Sequence, residues 1–254
     1  MATVTLLAKA YNDEQLRFIG KHLKSVFKDL NVEAKVLSVT SRGWVQIAVD
    51  GEDEKVALRY LTEEFGLCPV SLENLEKYSV IKGRMTTLSK SRNEVCVDIG
   101  VFSPKTVDAV IPLHDLQAKL VDGRKTALTK MAELYGLHEN LPLSVKVDKI
   151  DGDGGYVEAF LSEKQCKQYE DWAKSMLDRL IVLGASRFEV EFALKRASCN
   201  RDVIAVESLG MFEQAAVCKF GTDARGLIPK IGKKLQKAVF VVFCSKEAMK
   251  VADC

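Results

Sequence analysis

The sequence predicts an α+β chain of several domains: an N-terminal α/β sandwich, a central small β-barrel, and a helical connector leading to a small C-terminal α/β domain. Three observations carry that prediction. Residues 1–76 alternate strand-like and helix-like apolar spacing. Residues 77–164 hold five short runs of alternating apolar and polar residues, separated by turn signals. Residues 165–254 open on a helical apolar stripe and close as strand, strand, helix, strand. A length of 254 residues suits two or three modest cores.

In the first domain, "TVTLLAKAY" is an apolar strand. Asn12 is placed to cap the following helix, with Gln15 three residues on as its capping-box partner. Leu16, Ile19, Leu23, Val26, Phe27 and Leu30 then share one helical face. "EAKVLSVT" and "WVQIAVD" flank "SRG" as a hairpin, and Trp44 at its second strand reads as packing. A second helix runs through Val56, Leu58, Leu61 and Phe65 and ends at Gly66. A ferredoxin-like sandwich fits this order.

In the second domain the runs are "VIKGRMTTLS", "EVCVDIG", "DAVIPLHDL", "LSVKVDKID" and "GYVEAFLS". An insertion between the third and fourth, "QAKLVDGRKTALTKMAELYGLHENLP", is long enough for a short helix. "DKIDGDGGY" gathers Asp148, Asp151 and Asp153. An EF-hand needs a glutamate at the twelfth position, and counting from Asp151 gives Ser162, so the stretch is a hairpin turn through Gly152, Gly154 and Gly155. The series "IKGRM", "VCVDIG", "DAVIPLHDL", "SVKVDKID", "GYVEAFLSEK" resembles the S1 RNA-binding module over the middle third of the chain. The resemblance implies an oligonucleotide-binding (OB) barrel for single-stranded RNA, with Lys82, Arg84, Lys90, Arg92, Phe102, Lys105, His114 and Tyr156 as candidate contacts. Two positions depart from that family: "SRNEV" lacks an aromatic before the second strand, and His114 stands where a serine is frequent.

The third domain opens on a helix capped by Ser162 with Gln165, striped by Tyr169, Trp172, Met176, Leu177, Leu180 and Ile181. Gly184 breaks it, and Ser186 with Glu189 starts another. Two helices about a glycine suggest a helix-turn-helix, but Glu189 and Glu191 would repel DNA phosphates. Then "DVIAVESL" and "QAAVCKF" form a hairpin. "GTDARGLIPKIGKKL" has two glycines at P-loop spacing, yet Leu227 and Ile228 stand where lysine and a hydroxyl must be, which excludes nucleotide hydrolysis there. A glycine-bordered loop entering a helix favours an anion. Gly221, Thr222, Arg225 and Gly226, followed by Lys230, Lys233, Lys234 and Lys237 on one helical side, make it a candidate phosphate or RNA grip. "IPKIGKKL" is faintly similar to a KH loop. "RDVIAVESLG" with "CKFGTDARGLIPKIG" resembles a group of uncharacterised archaeal proteins.

A net charge of +2 is too small to announce a polyanion partner, so any such partner must meet a local patch. No basic stretch and apolar run open the chain as a signal peptide would. Seven cysteines without a CxxC pair read as reduced thiols, and a cytoplasmic setting is expected. His22, His114 and His138 are scattered, with no metal or nucleophile motif. No catalytic residue, metal or cofactor is expected. The sequence therefore suggests a non-enzymatic RNA-binding protein associated with translation or the ribosome. Its domain layout resembles that of the alpha subunit of translation initiation factor 2. Ribosomal, transfer or nascent RNA are the expected targets, with the ribosome or RNA polymerase as assembly partners. A protein-interaction scaffold that does not touch RNA is the competing class, and a phospho-ligand sensor using "GTDARG" a third.

Overall fold

The structure, a computed structural model, describes residues 1–89, 91–152 and 155–253. Lys90, Cys254 and part of the expected hairpin turn (Asp153 and Gly154) lie outside the described residues. The chain divides into two compact units, Met1–Asn74 with Gly100–Thr106, and Leu75–Ile99 with Val107–Cys254. No helix among the described residues is long and apolar enough to cross a membrane.

The first unit runs β1 (Ala2–Lys9), α1 (Asp13–Val26), β2 (Val32–Val39), β3 (Trp44–Gly51), α2 (Glu54–Glu64) and β4 (Val70–Ser71). Asn12 caps α1 as its spacing predicts. Its side chain accepts from Gln15 N–H at 3.0 Å, and Gln15 Oε1 accepts from Tyr11 N–H at 2.8 Å; such a cap contributes about 1 kcal/mol. The sheet order is β1-β3-β2, with β3 antiparallel to both neighbours. The connection through α1 therefore skips a slot, which β3 fills: a split β-α-β. Past α2 the chain returns along β1, with Leu7 N–H donating to Gly66 O at 3.0 Å and Cys68 N–H to Thr5 O at 2.8 Å. Trp44 is buried at the start of β3, with Lys9 Nζ 4.6 Å from its ring, so it packs as expected.

In the second unit come β5 (Val80–Ser89), β6 (Glu94–Ser103, its end shared with the first unit), β7 (Val107–Pro112), α3 (Leu113–Leu120), α4 (Leu128–Tyr135), β8 (Pro142–Asp151), β9 (Tyr156–Leu161) and α5 (Glu163–Lys174). The five strands β5 to β9 close on themselves: β6-β5-β8-β9-β7, then β7 back to β6. All pairs with a stated direction are antiparallel except β7 with β9. The insertion holds two helices, and the first takes "LHDL" out of the expected third strand. Pro112 suits the extended residue just before a helix and cannot extend a ladder as a donor.

The chain ends with β10 (Arg179–Leu183), α6 (Arg187–Arg196), β11 (Val203–Ser208), β12 (Glu213–Cys218), α7 (Ile228–Ile231), β13 (Val239–Phe243) and α8 (Ser245–Asp253), in a sheet ordered β11-β12-β10-β13. Here two expectations are corrected. The helix capped by Ser162 stops at Lys174, and "RLIVL" is a strand buried at every position between two neighbours. Leu180 and Ile181 fit a helical stripe only by coincidence of spacing, and the described residues hold no helix-turn-helix there. The basic helix is also absent as such: α7 is one turn long, and Lys233, Lys234 and Lys237 follow it in turns.

This C-terminal sheet repeats the connectivity of the first unit, strand-helix-strand-strand with the third strand inserted between the first two. Ser186 and Glu189 cap α6 as Asn12 and Gln15 cap α1. "SRGWVQIAV" and "SLGMFEQAAV" occupy matching hairpins. Ser38 donates to Gln46 at 2.7 Å, and Ser208 to Gln214 at 2.8 Å.

Barrel and C-terminal sheet are joined by two buried features. Arg84 on β5 and Glu213 on β12 form an ion pair at 2.9 Å with side chains 4% and 1% exposed. Gly210 lies against it, where a Cβ would run into both charged groups. Tyr135, Tyr169, Trp172 and Phe243 pack ring to ring from α4, α5 and β13 at 5.3–6.3 Å. Glu213→Gln is expected to cost about 3–5 kcal/mol, because it leaves a buried guanidinium unpaired. Urea unfolding checks this, and apolar replacement of both partners should restore most of the loss. Burial, aided by Asp122, raises the Tyr135 hydroxyl from its ordinary range to about 12. Its neutral form is the one that folds, so its contribution is complete below pH 10 and lost as pH rises through 12. Stability should therefore fall between pH 10 and 12, and Tyr135→Phe should flatten part of that fall.

Candidate nucleic-acid interface

Strand alternation decides what the barrel shows to solvent. On β8, Leu143, Val145 and Val147 are buried, while Ser144 and Lys146 face out; on β9, Val157, Ala159 and Leu161 are buried, and Glu158 and Phe160 face out. Register sets Lys146 opposite both Phe160 on β9 and Val80 on β5, with Lys82 opposite Ser144. Lys146 Nζ sits 6.0 Å from the Phe160 ring and 5.9 Å from the Tyr78 ring. Lys119 from α3 approaches Phe160 to 5.4 Å, and Lys77 approaches Tyr78 to 4.7 Å. The result is an outer stripe of alternating cations and rings across β5, β8 and β9. Tyr78 is 57% exposed and Val80 59%.

Two further observations bear on this stripe. Tyr78 has φ +67°, a conformation costing a bulky residue roughly 1–3 kcal/mol, and its N–H is tied to Val147 O at 2.8 Å. Lys77, Lys82, Lys119, Lys146 and Lys164 have no ion-pair partner among the described residues. Below the stripe, Lys82, Ser144, Lys164, Gln168 and Ser208 line a cleft of about 190 Å³.

The barrel residues expected from sequence fare differently. Lys82 is exposed and belongs to the stripe. Arg84 is corrected: it is buried in the pair with Glu213 and cannot meet RNA. Arg92 lies 3.8 Å from Glu94, and exposed His114 lies 3.6 Å from Asp115. Tyr156, 40% exposed, has its hydroxyl 3.5 Å from Glu158, which also accepts from Lys149 at 2.8 Å. Phe102 and Lys105 belong to the first unit. The outer side of β6 and β7 thus carries two acids, Glu94 beside Arg92 and Asp108 accepting from the Thr86 hydroxyl at 3.3 Å.

In the C-terminal loop, Gly221 has φ +85°, and Asp223 accepts from Arg225 N–H at 2.9 Å. Thr222 is half-buried, while Arg225, Gly226, Lys230, Lys233, Lys234 and Lys237 are exposed. Ala224, Leu227 and Ile231 anchor the segment in the C-terminal core. Lys230 is 3.9 Å from Asp202, whereas Arg225, Lys233 and Lys234 have no ion-pair partner among the described residues. Sequence reasoning missed Phe220, which is 72% exposed with Lys246 Nζ 5.4 Å over its ring. Among the described residues no three His, Cys, Asp or Glu side chains gather as a metal site would need.

Three models of one family match the sequence in succession: the DUF2110 N-terminal domain at residues 3–71, the DUF2110 central domain at 75–173 and the DUF2110 C-terminal domain at 177–243. No curated protein matches. Among solved structures, the chain is similar to the a/eIF2alpha-aDim2p-rRNA complex from Pyrococcus horikoshii OT3, at 12% identity over 51% of this chain and 70% of that chain, with TM-score 0.27. It is also similar to the intact alpha subunit of aIF2 from Pyrococcus abyssi, at 10% identity over 66% of this chain and 96% of that chain, with TM-score 0.27.

Proposed function

The chain belongs to the DUF2110 family along all three of its domains, and from that premise we propose that it binds unpaired RNA, with no catalytic step, in a translation or ribosome-associated setting. The observation that carries this reading is Tyr78, strained, exposed and set between Lys77 and Lys146. An exposed ring offers a base a stacking surface worth about 1–3 kcal/mol, and flanking ammonium groups hold the phosphates on either side. Phe160 with Lys119 repeats the arrangement one strand over. The strand pairing, five strands closed with one parallel contact, supports an S1-like, OB-type barrel. In OB-folds the second and third strands commonly bind; here Lys82 and Lys146 lie on the outer side of the first and fourth strands, with Lys119 beside them on α3. Phe220 with Lys246 and Arg225 gives the C-terminal domain a second weak contact, and two linked contacts raise overall affinity.

A protein-interaction scaffold is the second reading. It is favoured by Phe188 and Phe192, stacked at 6.1 Å on α6 and 73% and 51% exposed.

Fluorescence anisotropy with an unstructured RNA oligonucleotide separates the two. Tyr78→Ala should weaken binding by about 5- to 150-fold, the equivalent of a lost stack of ~1–3 kcal/mol. Lys77→Ala with Lys146→Ala should reduce the slope of log affinity against log salt by roughly 0.7 for each phosphate left without its lysine. Duplex RNA should respond little to Tyr78→Ala. Binding indifferent to salt and to all three changes would leave the scaffold reading.

A further inference from the structure

The first unit holds a groove of about 640 Å³ between α1 and β2. Ala34 to Ser38, consecutive on β2, line one wall, so the groove runs along that strand. β2 is an outer strand of its sheet, and one side of its backbone has no strand partner among the described residues. Such an edge offers a row of main-chain donors and acceptors to another extended chain. Leu37 and Val39 beside it are 52% and 39% exposed.

The opposite wall is basic. Arg17, Lys21 and Lys24 stand three or four apart on α1, hence on one face. None has an ion-pair partner among the described residues; Lys35 on β2 has Glu33 at 2.8 Å. Asp13 is the one acid in the lining. Between the cations lies Gly20, inside a helix, where glycine costs about 1 kcal/mol relative to alanine. Packing does not require it, since a Cβ there would make an ordinary 3.8 Å contact with Val36. The missing side chain opens the groove. The equivalent groove between α6 and β11 shows what is particular here: Glu191 stands in the place of Arg17 and Leu194 in the place of Gly20.

We propose that an acidic, extended segment of a partner protein docks in this groove, adding a strand to the edge of β2 while its carboxylates meet Arg17, Lys21 and Lys24. A peptide is favoured over a nucleic acid because no aromatic side chain lines the groove for stacking, whereas a free strand edge and aliphatic Val36 and Leu37 do.

The test uses the full chain and a labelled peptide of alternating glutamate and valine, with a lysine–valine peptide and oligouridylate RNA as comparisons. The glutamate peptide should bind, the lysine peptide should not, and binding should slow amide exchange along Val32–Val36. Arg17→Glu with Lys21→Glu and Lys24→Glu should weaken it by about tenfold or more. Gly20→Leu, which leaves every charge in place and favours the helix, should weaken it by filling the groove. No binding of the glutamate peptide, binding unaffected by either variant, or binding without protection of β2 overturns the proposal. Loss of RNA binding alone in the triple variant overturns it in favour of a nucleic-acid groove.

Discussion

Closure of the five-stranded barrel is the constraint from which the candidate interface follows. A closed sheet has no edge, so each strand must divide its side chains between a packed interior and an outer surface. Val145, Val147, Val157 and Ala159 fill the interior, and Lys146 and Phe160 are thereby forced outside and opposite one another. The same alternation turns Arg84 outward, where β12 covers it and Glu213 meets its charge. One periodicity thus produces both the solvent-facing stripe and the join to the C-terminal sheet.

Charge on this molecule is sorted by position more than by amount. With a net charge near zero, long-range attraction for a polyanion is weak. What matters is which lysines already have a carboxylate. Around β6, the loop to its N-terminal side and β9, Arg92 and Lys149 are matched to Glu94 and Glu158. Across β5, β8 and α3, Lys82, Lys146 and Lys119 are not. Exposed ion pairs contribute little to stability; under the proposed function they would leave that side of the barrel less open to phosphate.

Much of the fold is legible in the sequence. Three helix starts are readable from Asn12, Ser162 and Ser186 because a cap and its partner lie within one turn. All five barrel strands are readable from alternation. What fails needs partners distant in sequence. "RLIVL" is helical or extended depending on whether β12 and β13 flank it. Arg84 is a surface cation until Glu213, far along the chain, closes over it. The interface is illegible for the same reason: Tyr78, Lys146 and Phe160 are brought together only by register, and Tyr78 falls just before its strand. A signal for the repeated hairpins is present in "SRGWVQIAV" and "SLGMFEQAAV", but the two lie far apart and only their shared place in the fold makes the likeness plain.

Ultraviolet crosslinking of the full chain to single-stranded RNA, with the attached peptides identified by mass spectrometry, tests the central claim most directly. The account predicts adducts on the peptides bearing Tyr78 and Phe160, with a lesser one at Phe220. Adducts confined to the outer side of β6 and β7, or spread without preference over the lysines of the surface, would contradict it.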